Sequence, residues 1–290
     1  MEYNIIVLVK QVPETQNITG EAMKEDGTVN RAALPAIFNP EDLNALEEAL
    51  KIRDQYGGKV TVITMGPPNA VEVLRESLFR GADEVILLSD RKFAGADTLA
   101  TSYVLCQAIK KVGTYDLVVC GRQAIDGDTA QVGPQTAEKL GVNQITCVDR
   151  IVELTDRSIT AERSIEGGYE IVKAKLPILL TITGEANTPR PPAAKKVLAY
   201  KYAMTPATLG DYDEEYLRIT EIEESHAIIK LWDHEEIGVA SEQCGLAGSP
   251  TKVKQIESVV LDAGEFKQIE NSTCGLESLI QELMQEHIIG

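Results

Sequence analysis

The sequence contains few cysteines, and their spacing matches no common ligand set. Five are scattered over 290 residues without a CxxC pair, and they are Cys106, Cys120, Cys147, Cys244 and Cys274. An odd number without paired spacing argues against a disulfide framework, and against a zinc site or an iron–sulfur cluster within this chain. The sequence also lacks a GxGxxG after its first apolar run, which argues against a dinucleotide-dependent dehydrogenase.

Positive charge and long apolar runs are scarce as well. Lys and Arg total 28 against 45 Asp and Glu, for a formal net charge of −17. An acidic surface disfavours nucleic acid and anionic membranes as partners, although local hydrogen-bond donors can still bind a nucleotide. No apolar run approaches the length of a membrane span, and the N-terminus does not resemble a signal peptide. We therefore expect a cytoplasmic protein with no membrane or nucleic-acid partner.

Strand and helix patterns alternate through about residue 141. Short apolar runs rich in β-branched residues at 3–9, 59–65, 84–88 and 116–120 predict strands that are covered on both faces. The amphipathic segments between them are long enough for right-handed crossovers. The expected fold class is therefore α/β, with a doubly wound, mostly parallel, Rossmann-like sheet.

The residues Asn39-Pro40-Glu41-Asp42 predict the start of a helix. Asn39 is the expected cap, Pro40 suits the first helical position, and the two acids suit the first turn.

The most informative stretch is Leu117–Pro134, LVVCGRQAIDGDTAQVGP. It begins as a buried strand, breaks at Gly121 and enters a helix. Because Pro134 has no N–H and is tolerated only near a helix start, helical bonding is not expected much before Gln131. The N–H groups of Gly127–Gly133 are predicted to be unpaired and clustered, which is an arrangement that binds phosphate. A well-capped turn without a ligand is the alternative.

Other strand ends should lie at the same edge, because ligands of open parallel sheets bind beyond the carboxyl ends of the strands. Four ends qualify, and they are Val9–Lys10, Met65–Gly66, Leu88 and Gly121. Lys10 is a candidate phosphate or flavin contact, or else a solvated charge. Asp126 and Asp128 can cap the turn or bind ribose hydroxyls, and Gly127 lets a ligand approach the backbone closely. Together these features favour a nucleotide site.

The pattern changes after residue 144. Strand-like runs at 145–154, 158–165 and 169–175, with a Gly-Gly turn at 167–168, predict an antiparallel hairpin, and 177–183 reads as another buried strand. We therefore expect a nucleotide-binding α/β domain at 1–184, with the hairpin at 158–175.

The remaining residues, 185–290, are expected to form an extended arm. The proline-rich segment 185–192 should be exposed and irregular, either as a linker or as a partner contact, and 211–224 is dense in acid. Residues 275–288 have leucines and isoleucine at helical spacing, which predicts a terminal amphipathic helix. Packing on its own core is the simpler expectation for that helix, and docking on a partner subunit is the other.

Six short sequences occur together in one order: VKQVP, NPED, GRQAIDGDTAQVGP, EGGYE, ANTPRPP and GLAGSPTKV. This set resembles the β subunit of an electron-transfer flavoprotein over nearly the whole chain. The resemblance implies an adenine-nucleotide-binding fold and a heterodimer with an α subunit, which holds most of one electron-transferring FAD. It also implies a site in this chain that holds AMP in the ordinary branch of the family. In the electron-bifurcating branch that site holds a second FAD beside an NADH site.

The resemblance further implies which residues contact the nucleotide. By position they are Leu8, Val9, Lys10, Asn39, Pro40, Asp42, Met65, Gly66, Gly121, Arg122, Gln123, Asp126, Gly127, Asp128, Thr129, Ala130, Gln131, Val132, Gly133 and Pro134. It implies no nucleophile, no general base and no metal ligand, so the chain is expected to be an electron-transfer subunit without catalysis of its own.

Gly127 and Thr129 resemble the bifurcating branch, whereas AMP-binding relatives tend to carry bulkier residues there. A glycine at that point leaves room for a dinucleotide, so we favour FAD over AMP. In that role NADH is the electron donor. One electron goes to ferredoxin or flavodoxin, and the other passes through the α-subunit FAD to a flavin-dependent dehydrogenase.

The sequence departs from the family at two places where partners dock. Many members carry a leucine that anchors acyl-CoA dehydrogenases, and its nearest counterpart here is Ala194. The acidic stretch at 203–227 resembles an insertion. The expected partner is therefore a dehydrogenase of another kind, such as one acting on 2-hydroxy acids like lactate.

Two other functions fit less well. A non-bifurcating subunit with structural AMP keeps the family and changes the ligand. A stand-alone nucleotide sensor of the universal-stress type would have about half this length and would lack the hairpin, arm and terminal helix.

Overall fold

The computed structural model describes residues 2–14, 35–207, 228–251 and 267–285. The strands in these ranges are β1 (Tyr3–Leu8), β2 (Gln11–Pro13), β3 (Ala36–Phe38), β4 (Gly58–Met65), β5 (Glu84–Leu88), β6 (Leu117–Gly121), β7 (Asn143–Leu154), β8 (Ser158–Ile165), β9 (Gly168–Lys175), β10 (Ile178–Ile182) and β11 (Ile229–Trp232). The helices are α1 (Pro40–Tyr56), α2 (Val71–Arg80), α3 (Thr98–Val112), α4 (Val132–Leu140), α5 (Ala194–Tyr200) and α6 (Thr273–Gln285).

Nine of the described strands form one sheet, in the order β11-β5-β4-β1-β6-β10-β7-β8-β9. The strands from β11 to β7 run parallel, and β8 and β9 follow antiparallel. β2 and β3 form a small separate antiparallel sheet. The predicted α/β class, the parallel sheet and the antiparallel hairpin are confirmed.

The central strands contribute side chains to two hydrophobic clusters because alternate residues of a strand point to opposite faces. Ile5 and Val7 of β1 belong to the cluster that contains residues of α1 and α2, whereas Ile6 and Leu8 belong to the one that contains residues of α3 and α4. This arrangement confirms the doubly wound architecture. Full burial of each such side chain contributes roughly 1.5–3 kcal/mol before the cost of ordering the chain.

α1 begins where its sequence predicts, and a glycine ends it. Pro40 occupies the first helical position, the acids Glu41 and Asp42 lie in the first turn, and Gly57 ends the helix at a φ of 82°. A positive φ favours glycine, which has no Cβ.

Residues after 228 return to the main sheet. β11 pairs in parallel with β5 from Ile229↔Val85 to Trp232↔Leu88. Beyond it, Ile237, Val239 and Cys244 are buried in the cluster that contains α3 and α4. The division into 1–184 and 185–290 stays a prediction, although this part of the second segment shares a core with the first.

The proline-rich segment is irregular, as expected, but it is anchored on α1. Arg190 forms ion pairs with Glu47 at 2.8 Å and with Asp54 at 2.8 Å. The Asn44 amide donates to the Asn187 carbonyl at 2.7 Å, and the Asn187 amide donates back to the Asn44 carbonyl at 3.0 Å. The segment is therefore more than a plain linker.

α6 confirms the predicted terminal helix but not its simpler packing. Leu276, Ile280 and Met284 recur every four residues and stay 50–55% exposed. Leu279 and Leu283 of the same helix are half-buried, so packing on the chain's own core and docking on a partner subunit both stay predictions. The acidic stretch 211–224 lies outside the described residues. No helix in the described ranges has the length and apolarity needed to span a membrane.

Candidate functional site

The carboxyl ends of the parallel strands meet at one edge of the sheet. Leu8 of β1 is level with Cys120 of β6, which is level with Thr181 of β10. Met65, at the end of β4, is level with Leu88 of β5. The structure therefore places the ends of four predicted contact segments along one side of the molecule.

The start of α1 is bonded to the loop that follows β6. The Asn39 side chain is fully buried, donates to the Gln123 carbonyl at 2.8 Å and accepts from the Ile125 N–H at 3.1 Å. The expectation that this side chain caps α1 is wrong, because the helix start has no side-chain cap bond. Both ends of the Asn39 amide instead hydrogen-bond to the loop after β6, which is distant in sequence.

Asp42 joins two strand ends. Its two carboxylate oxygens accept from the Lys10 N–H at 2.9 Å and from the Gly121 N–H at 2.8 Å. A Cβ on Gly121 would lie 2.6 Å from an Asp42 oxygen, so only glycine allows this approach. Burial raises the pKa of Asp42 to about 7, against the opposing effect of the N–H donors.

Glu41 also contacts the loop, although the sequence assigns it only to the first turn of a helix. It accepts from the Gln123 N–H at 2.9 Å and pairs with Arg122 at 2.8 Å. An acid at the second position of α1 gives no local signal of this contact, because the partner lies about 80 residues away.

Lys10 reaches across the same edge to Asp126. The Lys10 ammonium lies 2.7 Å from both Asp126 oxygens, and the two side chains are 48% and 24% exposed. Lys10 and Asp126, which are both predicted to contact the ligand, are therefore paired with each other. A nucleotide phosphate would compete with Asp126 for Lys10.

The turn before α4 carries the unpaired donors. Among the described residues, no acceptor faces the backbone N–H groups of Thr129 to Gly133. The prediction of unpaired N–H groups is wrong for Gly127 and Asp128, since both donate to the Ala124 carbonyl, at 3.2 and 2.9 Å. These two residues close a tight turn, and the unpaired donors begin at the next residue.

The turn before α4 has an unusual backbone conformation. Asp128 and Ala130 have φ values of 51° and 52°, which are left-handed and uncommon for residues other than glycine. Gln131 follows in a right-handed conformation at φ −102° and ψ −30°. A left-handed residue beside a right-handed one turns successive N–H groups toward one point, which creates an anion-binding hollow. Such conformations cost energy and are concentrated at functional sites.

Two glycines of this stretch have different surroundings. A Cβ on Gly127 would meet nothing within 4 Å, so the space beside this exposed turn is open. A Cβ on Gly133 would lie 2.9 Å from the Cys120 sulfur and 2.9 Å from the Thr181 methyl group. Gly133 is therefore required for close packing of α4 on the sheet, whereas Gly127 is free to face a ligand.

The other predicted contacts form the walls of the site. Leu8 and Val9 are buried core residues, while Met65 and Gly66 are half-buried at the next strand end. The Thr98 hydroxyl donates to the Gln131 side chain at 2.9 Å and thereby joins the starts of α3 and α4. Val132 and Pro134 lie in the first turn of α4. In the described part of the chain, no group of three or more His, Cys, Asp and Glu side chains could hold a metal ion.

Comparison with known proteins gives one consistent family. The model of the electron transfer flavoprotein domain matches residues 26–203. The electron transfer flavoprotein subunit beta of Clostridium acetobutylicum is 43% identical over 289 residues, which are 99% of this chain and 100% of that protein. The caffeyl-CoA reductase-Etf complex subunit CarD of Acetobacterium woodii is 42% identical, over 98% of this chain and 99% of that protein. Protein FixA of Azorhizobium caulinodans is 40% identical, over 97% and 94%.

Proposed function

The chain belongs to the electron transfer flavoprotein family and acts in electron transfer as a β subunit, and from that premise we propose that it binds FAD at the sheet edge described above. The phosphates of the cofactor would lie on the N–H groups of Thr129–Gly133. The rest of the cofactor would extend past Gly127 toward the ends of β1 and β4. These residues provide binding, position and electrostatics, and FAD supplies the redox chemistry.

One observation carries this proposal: a hollow of unpaired N–H donors adjoins open space. The donors from Thr129 to Gly133 lack acceptors among the described residues, and they cluster at the positive end of the α4 dipole. The exposed Gly127 beside them has no neighbour within 4 Å of a built Cβ. A phosphate would accept hydrogen bonds from the donors, and a long dinucleotide would extend into the open space.

The proposed role of the complex is electron bifurcation. NADH is the donor, one electron goes to ferredoxin or flavodoxin, and the other goes through the α-subunit FAD to a flavin-dependent dehydrogenase. The similarity to a subunit of a caffeyl-CoA reductase-Etf complex supports an assembly with an α subunit and a further oxidoreductase. No side chain of the site is required as a nucleophile or a general base.

The partner dehydrogenase is proposed to differ from the acyl-CoA type. Ala194, the counterpart of the anchoring leucine, is exposed at the start of α5. A methyl group cannot replace a buried leucine anchor, whose loss costs ~2–5 kcal/mol in a packed site. A dehydrogenase of 2-hydroxy acids such as lactate is the class we propose. Normal electron transfer to an acyl-CoA dehydrogenase of the same cell would contradict this choice.

AMP is the second candidate ligand, because the same N–H hollow would hold its single phosphate. In that case the subunit is not bifurcating, and the nucleotide is structural. The open space at Gly127 favours FAD.

Counting the bound nucleotides decides between the two. The αβ complex is purified, its ligands are released by denaturation, and FAD and AMP are measured per heterodimer. Two FAD and no AMP are expected, together with NADH-dependent reduction of ferredoxin when the dehydrogenase and its electron acceptor are present. One FAD with one AMP would establish the alternative.

A matched pair of variants tests the role of the open space. Gly127 and Gly168 both have ordinary φ values and no neighbour within 4 Å of a built Cβ, but Gly168 lies in the hairpin. Gly127→Asp is expected to abolish retention of the second FAD, because it places bulk and negative charge beside the phosphate site. Gly168→Asp should retain it. Equal FAD content in both variants would contradict the placement of the cofactor.

A further inference from the structure

From the last residue of β6 onward, alternate N–H groups are bonded to side chains at the start of α1. The pairs are Gly121 N–H with Asp42 at 2.8 Å, Gln123 N–H with Glu41 at 2.9 Å, and Ile125 N–H with Asn39 at 3.1 Å. The intervening Arg122 N–H donates to the Ile182 carbonyl at 2.8 Å. Side-chain oxygens thus bind the loop as a neighbouring strand would. We call Asn39, Glu41 and Asp42 the α1 clamp.

The clamp residues have their polar atoms occupied within the chain. Both oxygens of Asp42 accept backbone N–H groups, and one oxygen of Glu41 accepts an N–H while the other pairs with Arg122. Both ends of the Asn39 amide bond to the loop. Asn39 is 0% exposed and Asp42 is 6% exposed. These side chains are poorly placed to contact a nucleotide directly.

The clamped loop leads directly to the donor turn. Ala124 lies between two clamped residues, and its carbonyl accepts the N–H groups of Gly127 and Asp128. Those bonds close the turn in which Asp128 is left-handed, and the unpaired donors follow from Thr129. A shift of Ala124 would therefore move the turn and its donors together.

We propose that the side-chain bonds of the α1 clamp set nucleotide affinity by holding Gly121–Ile125, and through it the donor turn. This role rests on the proposed function, since it presupposes a nucleotide at the turn. It assigns Asn39, Glu41 and Asp42 as positioning residues and distinguishes them from direct contacts such as the N–H groups of Thr129–Gly133.

Glu41 offers the sharpest test because its conservative variant preserves the bond. Glu41→Ala removes the acceptor of the Gln123 N–H, whereas the amide oxygen of Glu41→Gln can still accept it. Glu47→Gln is the matched control, since Glu47 is a buried acid of the same helix that binds Arg190 and does not contact the loop. All variants are made in the αβ complex, from which nucleotide bound by this subunit is removed before titration with FAD and, separately, with AMP.

Two readouts separate positioning from a general loss of stability. The Kd for the nucleotide that the wild type binds should rise about tenfold in Glu41→Ala and less than about threefold in Glu41→Gln and Glu47→Gln. Hydrogen exchange of the Gln123 amide should accelerate in Glu41→Ala alone. Melting temperature, measured in parallel, is expected to fall in Glu47→Gln without a change in Kd.

The outcomes discriminate between the two proposals. Faster exchange at Gln123 with an unchanged Kd would overturn the role of the clamp and leave the proposed function intact. Unchanged exchange in Glu41→Ala would overturn the clamp itself, whatever the complex binds. A wild-type complex that binds neither FAD nor AMP at this site would overturn the proposed function and the clamp's role in affinity together.

Discussion

Replacing the buried Asp42 by asparagine is expected to remove a specific pH dependence of stability. Burial raises the pKa of Asp42 from an ordinary 3.8 to about 7 in the folded chain. An unfolded chain therefore loses this proton near pH 3.8, whereas the folded chain retains it up to about pH 7. Between those values the folded state binds more protons, so the free energy of unfolding falls as pH rises.

The magnitude follows from the size of the shift. A difference of about 3 pKa units at roughly 1.36 kcal/mol each is worth ~4 kcal/mol. This contribution is present below pH 3.8 and is lost as pH rises through 7. About 3 kcal/mol of it falls between pH 4.5 and 8.5. Asp42→Asn cannot ionise, so the stability of wild type minus that of the variant should fall by this amount over that interval.

Urea unfolding of the full chain at a series of pH values measures the difference. Trp232 is the only tryptophan, and its fluorescence reports on the edge strand β11. Asp97→Asn is the control of opposite sign, because N–H donors at Ala100 and Thr251 outweigh burial and hold the pKa of Asp97 below its ordinary value. For that pair the difference should grow as pH rises from the acid range. A wild-type minus Asp42→Asn difference that is flat within 1 kcal/mol would refute the reasoning.

Three further substitutions test the close approach at Gly121, the anchoring of the proline-rich segment by Arg190 and the ion pair of Lys10. Gly121→Ala should lower the free energy of unfolding by at least ~2 kcal/mol in urea titrations, because its Cβ would lie 2.6 Å from Asp42; a neutral effect would contradict that approach. Arg190→Lys should lower the melting temperature by roughly 2–4 °C, since lysine cannot reproduce the forked contact with Glu47. Lys10→Met should change the free energy of unfolding by less than about 1 kcal/mol, because its ion pair is half exposed; a larger loss would mean that the pair is structural.

Patterns local in the chain determined the layers of the fold. The apolar runs of β1, β4, β5 and β6 and the amphipathic segments between them predicted the α/β sheet, because period and length are properties of neighbouring residues. Pro134 in the same way predicted where α4 begins, since the missing N–H restricts the positions that proline can occupy. The hairpin followed from two strand runs and a glycine turn.

Partners distant in sequence decided the details of the site. The Asn39 side chain could cap α1, or it could hydrogen-bond a loop 84 residues away. Only the folded chain shows that it bonds to the loop. The Ala124 carbonyl accepts hydrogen bonds from the N–H groups of Gly127 and Asp128, so the unpaired donors begin at Thr129.

The sequence by itself therefore determined the family resemblance, the order of the layers and the edge at which a ligand is expected. Tertiary structure decided which polar groups at that edge are occupied and which stay unpaired, as well as the return of β11 to the sheet beside β5. The physical reason is that an unpaired buried donor or acceptor costs free energy, and its partner is determined by proximity in space.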